Sequence, residues 1–175
     1  MIQAKLRSAI RDISDFPKPG IIFKDITPIL KDSELCSEIV EAFAHRLKDV
    51  QIDVIVGIES RGFLFGLMLA NRLNIPFVPI RKQGKLPYKK IQQPCELEYG
   101  SAILEIHEDA IIAGQKVLIH DDLLATGGTV NAAARLIKQL NGEIAGYAFV
   151  ISLDFLKGKE KLEHQNSNII SLISF

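Results

Sequence analysis

Cysteine is scarce in this chain. Only two of the 175 residues are cysteines, Cys36 and Cys95, and they lie far apart in the sequence. Neither belongs to a CxxC pair or has a second pair of metal ligands nearby, so the pattern argues against a structural zinc site. Disulfides are rare in cytosolic proteins, and we expect two reduced thiols.

The chain also lacks a net charge of either sign. Its 21 lysines and arginines are balanced by 21 aspartates and glutamates. A nucleic-acid-binding protein normally has a basic excess, so this balance argues against nucleic acid as a partner. The most basic stretch is local and reads RKQGK, at residues 81–85.

Long hydrophobic runs are missing as well. The first residues, MIQAKLRSAIRDI, carry charges throughout and lack the continuous apolar segment of a signal peptide. The longest apolar stretch covers residues 63–70, includes Gly66 and is far too short to span a membrane. These absences predict a soluble, cytoplasmic protein without a membrane partner.

Short apolar strands alternate with helical segments along the chain. Apolar residues make up 47% of the 175 residues, which suits one globular domain. The patterns predict strands at residues 53–58, 77–80, 116–120, 145–153 and 169–173, and helices at 61–73 and 129–140. Such alternation predicts an α/β fold with a mainly parallel, twisted sheet flanked by helices.

Two stretches interrupt this alternation. Residues 16–31 are rich in Pro and Gly and precede the first strand. Residues 81–114 form a long connection that we expect to be mostly irregular, with some alternation of polar and apolar residues. Long connections in compact domains are commonly functional lids. No repeat or linker divides the chain, so we predict a single domain over residues 1–175.

The segment with the most chemical content is VLIHDDLLATGGT, at residues 117–129. An apolar strand leads into Asp121 and Asp122, then into a small-residue turn and a helix. Ligands of open α/β sheets bind beyond the carboxyl ends of the strands, and free N–H groups at a helix start attract anions. The glycines of residues 125–129, called the phosphate loop below, let the main chain approach a phosphate. The two carboxylates suit hydroxyl groups or a nearby metal ion, so the pattern indicates a ribose phosphate.

This segment resembles the signature with which type I phosphoribosyltransferases bind 5-phosphoribosyl 1-diphosphate (PRPP); no GxxxxGK[ST] loop is present. Further blocks resemble adenine phosphoribosyltransferases in the same order: FPKPGIIFKDITP at 16–28, ESRGF at 59–63, RKQGKLP at 81–87 and LEYG at 97–100. The resemblance covers nearly the whole chain. It implies a Rossmann-like phosphoribosyltransferase fold with an N-terminal base-binding hood at 1–31 and a flexible lid at 81–114.

The resemblance also implies an activity and a place for each substrate. The protein would be a pentosyltransferase of purine salvage that converts adenine and PRPP into AMP and pyrophosphate. The 5′-phosphate would bind to Ala125, Thr126, Gly127, Gly128 and Thr129, and the ribose hydroxyls to Asp121 and Asp122. Pyrophosphate would bind to Ser60, Arg61, Arg81 and Lys85. Adenine would bind near Ile22, Phe23 and Lys24, with main-chain groups reading its edge.

Catalysis and assembly follow from the same resemblance. Glu98 would be the catalytic acid/base that exchanges a proton with the purine, and Tyr99 would lie beside it in the lid. Mg²⁺ would arrive on the substrate phosphates, near Asp121 and Asp122, without a protein-only cage. A homodimer is implied, with Arg81 and Lys85 contributing across its interface.

Other interpretations stay open at this point. The chain could use hypoxanthine, guanine or xanthine instead of adenine, or could bind PRPP as a non-catalytic regulator, although such regulators normally carry a DNA-binding module. A generic nucleotide binder, or a plain strand-to-helix turn, would leave the other blocks unexplained. His120 replaces a commonly apolar residue, and we expect it in the core or at an interface. Lys82, Lys89 and Lys90 are expected to form a solvated basic face.

Overall fold

The structure, a computed structural model, describes residues 1–96 and 100–175. Helices and strands alternate over most of this length. The helices are α1 (Ile2–Ala9), α2 (Ser33–Arg46), α3 (Gly62–Leu73), α4 (Gly128–Gln139) and α5 (Gly158–Glu163). The strands are β1 (Arg11–Ser14), β2 (Ile22–Asp25), β3 (Val54–Ile58), β4 (Phe77–Lys82), β5 (Lys90–Glu96), β6 (Ser101–His107), β7 (Lys116–Leu124), β8 (Glu143–Ser152) and β9 (Ile169–Ser174). Single 3-10 turns cover Ile29–Lys31 and Asp154–Leu156.

Seven strands form one sheet in the order β5-β6-β4-β3-β7-β8-β9. Five neighbouring strands pair in parallel, in the order β4-β3-β7-β8-β9. β6 is antiparallel to both β4 and β5. Every residue of β3 is buried, as expected for a parallel strand covered on both faces. The prediction of a mainly parallel sheet flanked by helices is confirmed.

The hydrophobic core lies on both faces of this sheet. On one face Phe43 and Phe65, from α2 and α3, pack against Ile55 of β3. On the other face Leu136 and its neighbours in α4 pack with Val54 and Val56 of the same strand. Alternate residues of β3 therefore belong to opposite halves of the core, and the carboxyl ends of the parallel strands stay open at one edge of the sheet.

The expectation that residues 81–114 are mostly irregular was wrong. β5 and β6 form an antiparallel hairpin in this region, paired from Lys90 with His107 to Glu96 with Ser101. The hairpin extends the sheet beyond β4, so its main-chain groups find partners that the local sequence does not reveal. β7 also continues to Leu124, past its predicted end at His120, because Leu123 and Leu124 keep pairing with β8.

The N-terminal region contains more regular structure than its Pro and Gly content predicted. β1 and β2 form a separate two-stranded antiparallel sheet, called the N-terminal hairpin below. α2 follows it and begins where the side chain of Asp32 accepts a hydrogen bond from the N–H of Leu35 at 2.9 Å. Within residues 1–96 and 100–175, no helix combines the length and the apolar character needed to cross a bilayer.

Candidate active site

A cleft of about 720 Å³, the main cleft, lies at the carboxyl ends of β7 and β8. Three separate parts of the chain line it. The N-terminal hairpin region contributes Pro17, Gly20, Ile21, Ile22, Phe23 and Lys24; β7 and the phosphate loop contribute Asp121, Leu123 and residues 125–130; and the C-terminal wall consists of Leu153, Phe155, Leu156 and Phe175. Arg61 completes the lining. The predicted base and phosphate residues and one of the two predicted ribose residues, Asp121, therefore line one cavity, whereas Asp122 does not line it.

The phosphate loop presents the start of α4 to this cleft. Gly127 has a φ of 77°, a left-handed conformation that glycine adopts without strain, and it precedes the first helical residue. Among the described residues, no side chain caps this helix start. The first main-chain N–H groups of α4 are therefore available to an anion, which the helix dipole also favours.

The next residue of the loop, Gly128, must also be a glycine, because there is no space for a side chain. A methyl group built on Gly128 would overlap the main-chain carbonyl oxygen of Glu96, at the end of β5. In the same way, a methyl group on Gly158 would overlap the carbonyl oxygen of Ala125. The phosphate loop is thus packed between the β5–β6 hairpin and the start of α5, which restrains its shape.

Asp121 and Asp122 are adjacent residues in the carboxyl-terminal half of β7. The main-chain N–H of Asp122 donates to the Asp121 carboxylate at 2.9 Å, and Arg61 Nε lies 3.1 Å from Asp122 Oδ2. Burial raises the pKa of Asp121 well above its usual range, and the charge of Asp122 raises it further. Burial also raises the pKa of Asp122, against the opposing charge of Arg61. Two neighbouring acids that resist ionising together suit partners that donate hydrogen bonds or carry positive charge.

A smaller polar cleft of about 230 Å³ continues from the main cleft. The residues that line both clefts are Arg61, Asp121, Leu123 and Thr129. Glu59, Ser60 and Lys82 line the polar cleft beside them. Ser60 and Arg61 thus lie in the polar cleft together with Asp121 and Asp122. Lys82, expected as a solvated residue, is exposed but faces this cleft.

Arg81 and Lys85 are placed differently from Ser60 and Arg61. Both contact Glu59, with Arg81 Nε at 3.0 Å and Lys85 Nζ at 2.6 Å from its carboxylate oxygens. Burial alone would raise the pKa of Glu59, but hydrogen bonds from Lys85, the Lys82 main chain and Arg81 outweigh it and hold the pKa at about 2. Lys90, expected to be solvated, instead donates to the carbonyl of Leu86 at 2.6 Å and lies 3.5 Å from Glu105.

The predicted base residues lie together on β2. The Phe23 ring packs edge-on against Phe16, with centroids 5.2 Å apart, and the Arg61 guanidinium lies over it at 4.8 Å. The Lys24 amino group pairs with Asp12 at 2.7 Å and lies 4.0 Å from the Phe175 ring centroid. The side chain of Lys24 is therefore engaged with Asp12 and Phe175, and its main chain belongs to the ladder between β1 and β2.

Sequence reasoning missed three features of this site. It assigned no role to Glu59, although this acid immediately precedes Ser60 and Arg61 in the quoted block. It also missed Lys82 as a residue of the polar cleft, since the three basic residues of the RKQGK stretch look alike in the sequence. The C-terminal wall carries no local signal, because Phe155 and Phe175 join the cleft only through tertiary packing.

Three remaining expectations concern Glu98, Tyr99 and the metal. Glu98 and Tyr99 lie outside the described residues. Within residues 1–96 and 100–175, no group of three or more His, Cys, Asp or Glu side chains is arranged to hold a metal ion. The carboxylates of Asp121 and Asp122, which border the polar cleft, still fit Mg²⁺ brought by a substrate, since this ion prefers oxygen ligands.

Known proteins share both this sequence and this structure. The profile of the phosphoribosyl transferase domain matches residues 27–174. The adenine phosphoribosyltransferase of Cytophaga hutchinsonii is 52% identical over 175 residues, covering 100% of this chain and 97% of the relative. The crystal structure of the adenine phosphoribosyltransferase from Thermoanaerobacter pseudethanolicus is 49% identical, with a TM-score of 0.95 and 99% of each chain covered.

A further solved structure carries ligands. The adenine phosphoribosyltransferase of Saccharomyces cerevisiae, complexed with adenine and D-2,5-dideoxy-2,5-imino-altritol 1,6-bisphosphate, is 43% identical, with a TM-score of 0.91 and 98% of each chain covered. The family match, the relatives and the structural neighbours agree on one family. The chain belongs to the phosphoribosyl transferase domain family and, within it, to the adenine phosphoribosyltransferases.

Proposed function

We propose that the protein transfers the ribose 5-phosphate part of PRPP to adenine, giving AMP and pyrophosphate. The proposal depends on one observation: the main cleft and the polar cleft share Arg61 and Asp121. The phosphate loop and β2 both line the main cleft. PRPP has a phosphate, a diol and a pyrophosphate, and each matches the chemistry of a different part of this surface.

PRPP binding would use the loop and the two acids. The 5′-phosphate would accept hydrogen bonds from the main chain of residues 125–129 and from the hydroxyls of Thr126 and Thr129. Asp121 and Asp122 would accept hydrogen bonds from the 2′- and 3′-hydroxyls of the ribose. Hydrogen bonds to charged groups of this kind contribute roughly 1.5–3 kcal/mol each.

The pyrophosphate would lie in the polar cleft. Ser60 and Arg61 would hold it, and Lys82 supports the same assignment because it lines that cleft. Arg81 and Lys85 stay in the proposal as ligands that act across the interface of a homodimer. Mg²⁺ bound to the substrate phosphates would neutralise part of their negative charge, with Asp121 and Asp122 as the nearest protein carboxylates.

Adenine recognition would depend on the main chain of β2. This strand pairs on one side with β1, from Asp12 with Lys24 to Ser14 with Ile22, and has no second partner strand among the described residues. Main-chain groups on its other side are therefore free to bind the edge of a purine near Ile22 and Lys24. A 6-amino and a 6-oxo purine differ in hydrogen-bond polarity there, and a mismatch leaves buried groups unpaired.

In the reaction, the bond between ribose C1 and the pyrophosphate oxygen breaks, and N9 of adenine bonds to C1. The leaving oxygen keeps the bonding electrons, so positive charge develops on the sugar, as in glycoside chemistry. Arg61 and Lys82 would stabilise the growing charge of the pyrophosphate, and Asp121 and Asp122 the sugar. The proton that the purine loses would pass to Glu98, and a closed lid would exclude water.

The quaternary structure and location belong to the proposal as well. On α3, Leu64, Leu67 and Met68 are 40%, 56% and 38% exposed, and their spacing places them on one face of the helix. An apolar face of this kind supports a homodimer, in which a second copy covers it. We place the enzyme in the cytoplasm.

A turnover assay tests the proposed function. Purified protein would be incubated with PRPP, Mg²⁺ and, in parallel, adenine, hypoxanthine, guanine or xanthine, and the nucleotide products would be separated by chromatography. We expect AMP from adenine and little product from the 6-oxo bases. Faster turnover of a 6-oxo base would contradict the assignment, and PRPP binding without any product would favour a non-catalytic regulator.

A further inference from the structure

Arg61 makes a set of contacts that a pyrophosphate ligand alone does not require. Its guanidinium lies 4.8 Å from the centroid of the Phe23 ring, and its Nε lies 3.1 Å from Asp122 Oδ2. Phe23 belongs to the segment proposed for the base, and Asp122 to the pair proposed for the ribose. One side chain thus contacts residues assigned to two other parts of the substrate.

One nitrogen of this guanidinium is left over. Nη1 of Arg61 is buried and makes no hydrogen bond among the described residues. A buried donor without an acceptor is unfavourable, so the acceptor is expected to come with a ligand. Because Arg61 lines the polar cleft, the acceptor suited to this position is an oxygen of an anion bound there.

The Phe23 ring is itself well fixed. It packs against Phe16 with a ring angle of 78°, and Phe23 pairs with Ile13 in the N-terminal hairpin. The neighbouring cation, Lys24, is held elsewhere by Asp12 and the Phe175 ring, so it does not compete with Arg61 for this ring. A fixed aromatic face is a suitable platform for a planar guanidinium.

We propose that Phe23 is a positioning residue for Arg61: its ring holds the guanidinium at the junction of the two clefts, ready for pyrophosphate. This inference deepens the proposed function and rests on it for the identity of the anion. An arginine loses much side-chain freedom when it binds a ligand, and prior positioning reduces that loss. The base segment would therefore contribute to pyrophosphate affinity even when no base is bound.

The test measures pyrophosphate affinity by calorimetry, with Mg²⁺ and without adenine. Phe23→Leu removes the aromatic face and keeps an apolar side chain, and we expect binding to weaken roughly 2- to 5-fold, the range of an exposed cation–π contact. Phe23→Tyr keeps the ring and should bind pyrophosphate like the unmodified protein. Tyr88→Leu, which changes an exposed ring that lines neither cleft, is the matched control and should have no effect.

Two further measurements separate positioning from a general structural effect. Ribose 5-phosphate, which would use the phosphate loop and the acids, should bind to Phe23→Leu with unchanged affinity. In an Arg61→Ala background, Phe23→Leu should cause no additional loss of pyrophosphate affinity, because the residue to be positioned is gone. Unchanged pyrophosphate binding in Phe23→Leu, equal losses for both ligands, or additive losses in the double variant would overturn the inference.

These binding measurements do not depend on turnover. If the unmodified protein formed no AMP but Phe23→Leu still weakened pyrophosphate binding selectively, the proposed function would fail and the positioning role would stand. If AMP formed and Phe23→Leu bound pyrophosphate normally, the positioning role would fail and the proposed function would stand.

Discussion

Asp121 and Asp122 are two adjacent acids in surroundings that raise the pKa of both. We expect Asp121→Asn with Asp122→Asn to abolish PRPP binding, because amides accept weaker hydrogen bonds from the diol and leave Arg61 without its anionic partner. Calorimetry with PRPP would measure the loss, and an unchanged melting temperature would show that the fold persists. Asp109→Asn, at an exposed acid, is the control; PRPP affinity equal to that of the control would refute the assignment.

Glu98 can be tested against an acid two residues away. Glu98→Gln keeps the size of the side chain but cannot take up a proton, so kcat should fall roughly 100-fold or more while the KM values change little. Glu96→Gln, at an exposed residue of β5, should retain normal turnover. Steady-state kinetics decide, and normal kcat in Glu98→Gln would remove this residue from the mechanism.

His120 is fully buried and packs edge-on against Phe43 at 5.5 Å. Neither of its ring nitrogens makes a hydrogen bond of ordinary geometry to any residue that the structure describes. Burial lowers its pKa to about 4, with the main chain of Ala148 opposing the shift slightly. In the unfolded chain this histidine has a pKa near 6.5, so it binds a proton more readily there than in the folded protein. Stability should fall by up to about 3 kcal/mol as the pH drops from 6.5 to 4.

Urea unfolding at pH 7 and pH 5 measures this effect. His120→Leu should lose less stability between the two pH values than the unmodified protein does. His164→Gln, at an exposed histidine, should behave like the unmodified protein. An identical pH dependence in His120→Leu would show that another group is responsible.

The β5–β6 hairpin contacts the phosphate loop near the end of the loop, where α4 begins. Since a side chain on Gly128 would overlap the carbonyl oxygen of Glu96, either the loop or the end of β5 must move in Gly128→Ala. Small displacements of binding groups are costly, and we expect AMP affinity to fall at least roughly 10-fold. Titration calorimetry with AMP measures it, with the exposed α4 variant Arg135→Ala as the control. Equal affinities in both variants would show that the loop tolerates the change.

The whole molecule is expected to be a homodimer held by the exposed apolar face of α3. Light scattering should give twice the chain mass of 19.4 kDa. Leu67→Glu places a charge in this face and should yield monomers, whereas Leu30→Glu, at a residue 39% exposed outside α3, should not. If Arg81 and Lys85 act across the interface, the monomeric variant also loses turnover. A monomeric unmodified protein would contradict this part of the proposal.

The alternation of strands and helices could be predicted from the amino-acid sequence, and so could the segment that carries the acids and the phosphate loop. These features are local: a β-branched run, two carboxylates and a glycine-rich turn before a helix are contiguous, and backbone preferences act over the same short range. The N-terminal base segment was recognisable for the same reason, although its pairing as a hairpin was not.

The contacts of the basic residues, in contrast, depend on tertiary packing and could not be predicted from the sequence. Arg81, Lys82 and Lys85 look equivalent in sequence, but the buried carboxylate of Glu59 takes the side chains of the first and third and leaves Lys82 at the polar cleft. The β5–β6 hairpin, the C-terminal wall and the Arg61–Phe23 contact likewise join residues far apart in the chain. Such contacts depend on where the folded sheet brings each strand end, and no local preference encodes that.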